Sequence, residues 1–142
     1  MYEVTIETAF SGAHLLRGYA GKCGGLHGHN WKVVVTAASD RLDEVGMALD
    51  FASLKEQTRE VLAQVDHTYL NEVFPFTEIN PTAENIARWV CEMLTKHVAD
   101  ERIVIRRVMV WESDNAAATY IPHKDSLSIA ASLADGSANK KA

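Results

Sequence analysis

The run Trp31-Lys32-Val33-Val34-Val35-Thr36 leaves the chain fewer conformational choices than any other stretch. Branching at Cβ in three successive valines and a threonine restricts χ1 and suits a pleated sheet, so the run reads as a strand. Directly ahead of it stands Cys23-Gly24-Gly25-Leu26-His27-Gly28-His29-Asn30. If the strand opens at His27, its period of two places both imidazoles on one face. Gly28 leaves the opposite face bare, and Gly24-Gly25 permits a tight turn close by. Two imidazoles so placed form a bidentate grip on a metal, and neutral imidazole suits zinc. Three histidines with a fourth position open is the pattern of catalytic rather than structural zinc.

The third ligand has to come from outside this stretch, which leaves His14, His67, His97 and His123. Residues 2–10 hold the alternating run Val4-Thr5-Ile6-Glu7-Thr8-Ala9-Phe10 and read as an earlier strand, followed by Ser11-Gly12-Ala13 and His14. Antiparallel pairing of the two strands brings His14 alongside His27 and His29. Any one histidine at a strand end is usually a satisfied surface or core side chain. The combination of His-x-His, a nearby cysteine and a third strand-end histidine is what points to metal.

The 142 residues suffice for one domain that buries about two-thirds of the surface of its unfolded chain. With 47% apolar and 23% charged residues, the composition is that of an ordinary soluble globule. No apolar run of about eighteen residues occurs, so no membrane span is expected. Met1-Tyr2-Glu3 starts neither a basic nor a long apolar segment, so no secretory leader is expected. Cys23 and Cys91 form no disulfide framework, which makes a cytoplasmic location the expectation. A net charge of −5, without a basic block or stripe, argues against nucleic acid or an anionic membrane as partner.

In chain order, residues 15–26 hold four of the eight glycines and read as a functional loop. A strand over 29–38 follows, then polar turn material over 39–46 and a short extended lead-in over 47–49. The first helix is expected from Asp50 to Val65, with Phe51, Leu54, Val61, Leu62 and Val65 inward. Thr82 is a good N-cap for the second, Glu84 suits its first turn, and Ile86, Trp89, Val90, Met93 and Leu94 form its buried stripe. Cys91 in that helix reads as a small structural hydrophobe. Residues 102–113 form a third strand, Asp114-Asn115 a turn, and 118–121 a fourth strand ended by Pro122. The order ββααββ predicts an α+β domain over residues 1–122, one antiparallel sheet with both helices on one face. Residues 123–142 are expected to be a flexible tail, with a short helix near 127–133 as its one structural option. Four strands leave two open edges, so self-association is expected.

A metal with an open position can bind a substrate oxygen and acidify a hydroxyl or polarise a carbonyl. Cys23, beside Lys22, is a thiolate base or nucleophile, an inert loop thiol, or a fourth ligand that closes the site. Asp66-His67 is either a carboxylate–imidazole proton relay or a histidine set at a helix C-terminus by the dipole. Glu112 shares a strand face with Val108 and Val110, and is either exposed at the strand end or pocketed to hold a donor-rich ligand.

Phe10-Ser-Gly-Ala-His14, Cys23-Gly-Gly-Leu-His27-Gly-His29-Asn30, Leu49-Asp-Phe51, Asp66-His67-Thr-Tyr-Leu-Asn71, Asn80-Pro-Thr-Ala-Glu-Asn85 and Val110-Trp-Glu112 occur in that order. Together they resemble the 6-pyruvoyltetrahydropterin synthase family over roughly residues 3–122. The three residues between Cys23 and His27 are similar to its bacterial branch, the 6-carboxy-5,6,7,8-tetrahydropterin synthases of queuosine biosynthesis. Gly12, where the family commonly has an alanine-like residue, and the tail after Pro122 are the departures.

The resemblance implies a tunnelling fold whose subunits associate into a barrel, a hexamer built as a dimer of trimers, with sites at subunit interfaces. It implies zinc on His14, His27 and His29, Cys23 as proton acceptor, and Asp66 with His67 as the relay that activates the thiol. Glu112 would anchor the 2-amino-4-oxo edge of a pterin, and Thr82 matches a position near that pterin, although its capping role explains it equally well. The implied substrate is 7,8-dihydroneopterin triphosphate, and the implied products are 6-carboxytetrahydropterin, acetaldehyde and triphosphate. The pyruvoyl product, a non-catalytic pterin- or metal-binding relative and a zinc hydrolase are the alternatives, the last having no use for Cys23. Lys22, Arg106 and Arg107 are triphosphate ligands by charge alone.

Overall fold

The computed structural model describes residues 1–123, so the tail expected after Pro122 lies, beyond His123, outside the described residues. The first two strands, β1 (Tyr2–His14) and β2 (His27–Ser39), form one long antiparallel hairpin from Tyr2↔Ser39 to His14↔His27. After it come helix α1 (Phe51–Leu62), a two-residue strand β3 (Thr68–Tyr69), helix α2 (Ala83–His97), and strands β4 (Val104–Ser113) and β5 (Ala116–Tyr120). Among the described residues the sheet has five strands in the order β3-β1-β2-β4-β5.

The period of two explains which side of the sheet the helices cover. Ile6 and Phe10 from β1, Trp31, Val33, Val35 and Ala37 from β2, and Val108 and Val110 from β4 are all buried in one core. Leu54, Val61 and Leu62 of α1 and Ile86, Val90 and Leu94 of α2 close over that face. Each large side chain so buried contributes about 1.5–3 kcal/mol. Phe10 stacks on Trp31 at 5.9 Å between ring centroids. A register shift opposite Thr36/Ala37 adds one residue to β4, so that Ile105 and Val108, three apart, both reach the core.

Asp50 caps α1 by accepting from Ala52 N at 2.8 Å, and Thr82 caps α2 by accepting from Asn85 N at 3.1 Å. Cys91 is buried among apolar groups, which pushes its thiol up to about 11 and makes it inert at neutral pH.

Several boundaries differ from the sequence expectation. Helix α1 stops at Leu62, and Val65 is buried from a turn rather than from the helix. Phe51 is 59% exposed, whereas Thr58 is buried because its hydroxyl is satisfied by donating to Leu54 O at 2.7 Å. Met93 is only partly buried. Residues 47–49 join no strand ladder. Strand β1 continues through Ser11-Gly12-Ala13 to His14, and β5 starts at Ala116. The unexpected β3 pairs parallel with Gly12 and Ala13, covering the β1 edge beside His14. Among the described residues no helix is long and apolar enough to cross a membrane.

Candidate metal centre

At the mouth of the hairpin the core-facing rows of β1 and β2 continue past the apolar core as His14, His27 and His29. Glu112, two residues beyond Val110 on β4, joins them, and one ligand atom from each of the four lies within 4.8 Å of all the others. His14 Nδ1 is 2.7 Å from Pro81 O, and His27 Nδ1 is 2.7 Å from Gly25 O. A carbonyl only accepts, so both Nδ1 atoms carry the proton and both Nε2 atoms present bare lone pairs. Those two Nε2 atoms face each other at 3.0 Å. His29 Nε2 is buried without a hydrogen bond, the Glu112 carboxylate 3.3 Å away being an ion-pair contact only. Converging lone pairs and an orphaned buried nitrogen fit a divalent cation among them. Burial holds His14 and His29 below the usual imidazole range, favouring the neutral form that binds metal.

Trp31 forms the floor. Its ring meets those of His14 and His29 nearly edge-on at 4.9 and 5.0 Å, and its Nε1–H donates to Gly12 O at 3.2 Å.

Cys23 lies outside this group of four. It is half-buried on a single helical turn, Lys22–Gly24, and its carbonyl accepts from Leu16 N at 3.1 Å. A Cβ on Gly24 would fall 2.4 Å from Tyr19 O, so the turn beside Cys23 requires glycine. The fourth group that meets the histidines is the Glu112 carboxylate, and a site closed by Cys23 is not what the chain builds.

Asp66 and His67 form the expected pair, with Asp66 Oδ1 2.9 Å from His67 Nδ1. The same carboxylate oxygen accepts from Ser11 N at 2.9 Å, and His67 N donates to Ser11 O at 2.6 Å. These bonds hold His67 in the left-handed region at φ 56°. The Ser11 amide first, and His67 second, keep the Asp66 carboxyl below the usual range. The His67 ring is 81% exposed and borders an open hollow of about 420 Å³ lined by Gly12, His29 and Thr68 and by Ser11, Ala13, Gly28 and Asn30. Those four residues alternate with the inward row and belong to the outer face of the sheet. His67 is not one of the four converging groups, although it borders the same hollow as His29.

Thr82 follows Pro81, so the cap of α2 and the anchor of His14 are consecutive residues. Lys22 shares the turn of Cys23. Arg106 and Arg107 do not belong to this centre. Both contact Glu3, at 3.8 and 3.4 Å, near the end of β4 opposite Glu112. Sequence reasoning missed Pro81 as the anchor of His14, and it missed Asn71 and Asn80. Each of these two asparagines binds both the N–H and the C=O of a residue just after His14. Nothing in the local sequence marks such non-local amides.

The chain matches the 6-pyruvoyl tetrahydropterin synthase family model over residues 3–123 and belongs to that family. It is 35% identical over 125 residues to the 6-carboxy-5,6,7,8-tetrahydropterin synthase of Synechocystis sp., covering 84% of this chain and 93% of the relative. It is 36% identical over 104 residues to the 6-pyruvoyl tetrahydrobiopterin synthase of Homo sapiens, covering 70% of each. The Caenorhabditis elegans 6-pyruvoyl tetrahydropterin synthase structure superposes with a TM-score of 0.74 at 30% identity, covering 87% of this chain and 98% of that one.

Proposed function

We propose that the chain is a zinc-dependent lyase of the tetrahydropterin-synthase type. It converts 7,8-dihydroneopterin triphosphate and one water to 6-carboxy-5,6,7,8-tetrahydropterin, with release of acetaldehyde and triphosphate, in the precursor pathway of queuosine. The observation that carries this reading is the convergence of three imidazole Nε2 atoms at the hairpin mouth beside Glu112. His14, His27 and His29 would hold the zinc, which when bound supplies Lewis-acid activation of the substrate side chain.

The other roles fall to groups of the chain itself. Cys23 accepts a proton from the substrate side chain. Asp66 orients His67 through Nδ1, which leaves the exposed Nε2 to exchange the proton with the thiol. Glu112 accepts two parallel N–H bonds from the pterin edge, and the Thr82 O–H, whose oxygen caps α2, is left free to donate. In this reading the site is completed at an interface between copies of the chain. The working form in this reading is a cytoplasmic homo-oligomer, a hexamer made as a dimer of trimers. The three residues between Cys23 and His27 favour the carboxy product, while the similarity to the human enzyme supports the pyruvoyl product as the second reading.

Anaerobic incubation of the zinc-loaded protein with 7,8-dihydroneopterin triphosphate, read by mass spectrometry, tests this. The carboxy product with acetaldehyde is expected, and Cys23→Ala should retain zinc while turnover falls by about 10²–10⁴. A pyruvoyl product without acetaldehyde moves the chain to the second reading. Absence of turnover makes it a binding protein.

A further inference from the structure

Beyond His14 the edge of β1 no longer has a strand beside it, since β3 ends at Tyr69. The main-chain groups of that edge are nonetheless paired. Leu15 N donates to Asn71 Oδ1 and Leu15 O accepts from Asn71 Nδ2, both at 3.0 Å. Arg17 N donates to Asn80 Oδ1 at 2.8 Å and Arg17 O accepts from Asn80 Nδ2 at 2.9 Å. A primary amide offers a C=O and an N–H side by side, as a neighbouring peptide would. In an extended segment residues i and i+2 present their polar groups to the same edge. Asn71 and Asn80 thus stand in for the missing strand at Leu15 and Arg17.

Leu16, between them, faces the other way, and its N–H holds Cys23 O at 3.1 Å. The clamp is itself anchored. Asn80 O accepts from Thr82 N and Asn85 Nδ2, and the Arg17 guanidinium donates to Phe76 O and to Ile79 O at 3.0 Å. A continuous hydrogen-bonded path therefore runs from the N-terminus of α2 and the turn after β3 to the main chain of Cys23.

We propose that Asn71 and Asn80 are positioning residues for Cys23, holding the main chain of Leu15 and Arg17 so that Leu16 fixes the turn that carries the thiol. Only the kinetic arm of the test rests on Cys23 being the proton acceptor. Zinc-loaded wild type is compared with Asn71→Ala and Asn80→Ala, and with Asn71→Asp and Asn80→Asp, which keep the acceptor but lose the donor. Amide hydrogen exchange at Leu15–Arg17 should accelerate by about tenfold or more in the alanine variants, with β2 and β4 unchanged. Alkylation of Cys23 by iodoacetamide, read on its peptide, should speed up severalfold as the half-buried thiol opens. The kcat should fall by about ten- to a hundredfold with KM and zinc content within about twofold, since small misplacement of a reacting group is costly. The aspartate variants should lie between, and they carry the test if the alanine variants fail to fold. Unchanged exchange and alkylation in folded variants overturns the clamp. Faster exchange and alkylation with wild-type kcat overturns the positioning role. A wild type without turnover sinks the proposed reaction instead, and exchange and alkylation still decide the clamp.

Discussion

The inward row of β2 runs Ala37, Val35, Val33, Trp31, His29, His27, and its two ends are held in place by different physics. From Ala37 to Trp31 every side chain is covered by helices and adjoining strands, with at most 1% of its surface exposed. Apolar burial alone secures that end, and any well-packed neighbour of the right volume would serve. From His29 to His27 the same row bears imidazoles, His27 tied through Nδ1 to Gly25 O and His29 with its buried Nε2 unpartnered. Burying an unpaired polar atom costs about 1–3 kcal/mol. One end is finished by folding, and the other is finished by whatever cation the lone pairs receive.

The contrast is sharpest under mutation of the two ends in metal-free protein. Trp31→Ala should destabilise by about 3–5 kcal/mol in chemical denaturation, through lost burial and a cavity. His27→Ala should change the same measurement by less than about 1 kcal/mol, because it removes one of two opposed lone pairs. Equal losses in the two variants would make the histidine end an ordinary part of the core.

Zinc should narrow the difference. At about a hundredfold excess over its dissociation constant it should raise unfolding free energy by about 2.7 kcal/mol, and His29→Ala should abolish the gain. Glu112→Gln separates two roles for the carboxylate. Retained zinc with weakened pterin binding assigns Glu112 to the substrate, whereas lost zinc makes it a ligand.

The smallest effect concerns pH. Burial depresses His14 and His29 below 6.5 in the folded chain, so the unfolded chain takes up these protons first on acidification. Stability from this source is complete above about 6.5 and declines as pH falls towards the folded values. Denaturation of metal-free protein between pH 7 and 5 should show that decline, and His14→Ala should flatten it. A stability that rose on acidification would mean that Glu112 holds the imidazoles protonated instead.

Regular periodicity made some of this legible beforehand. The hairpin, the convergence of His14 with His27 and His29, and the Thr82-capped α2 follow from periods of two and 3.6 along a single segment. Strand β3 was not legible, because two residues carry no period and Thr68–Tyr69 is extended only by docking on Gly12–Ala13. The small residues Ser11-Gly12-Ala13 hid the last rungs of β1, since they show no alternation in hydrophobicity. Phe51 lay on the right stripe and is nevertheless exposed, while Thr58 went inside on the strength of one hydroxyl bond to its own helix. The Asn71 and Asn80 amides pair with residues far along the chain, and no local pattern announces that.

The long hairpin also bears on the order in which the chain assembles. Bringing two chain segments together loses entropy that grows with the logarithm of the loop between them. His14, His27 and His29 meet on closing only residues 15–26, an event of short sequence separation. Glu112 arrives only when β4 docks against β2, across a stretch of chain that holds both helices. The imidazoles are thus contacts of low topological expense and the carboxylate is one of high expense, which makes the nitrogen half of the centre the earlier one on a folding route dominated by loop closure.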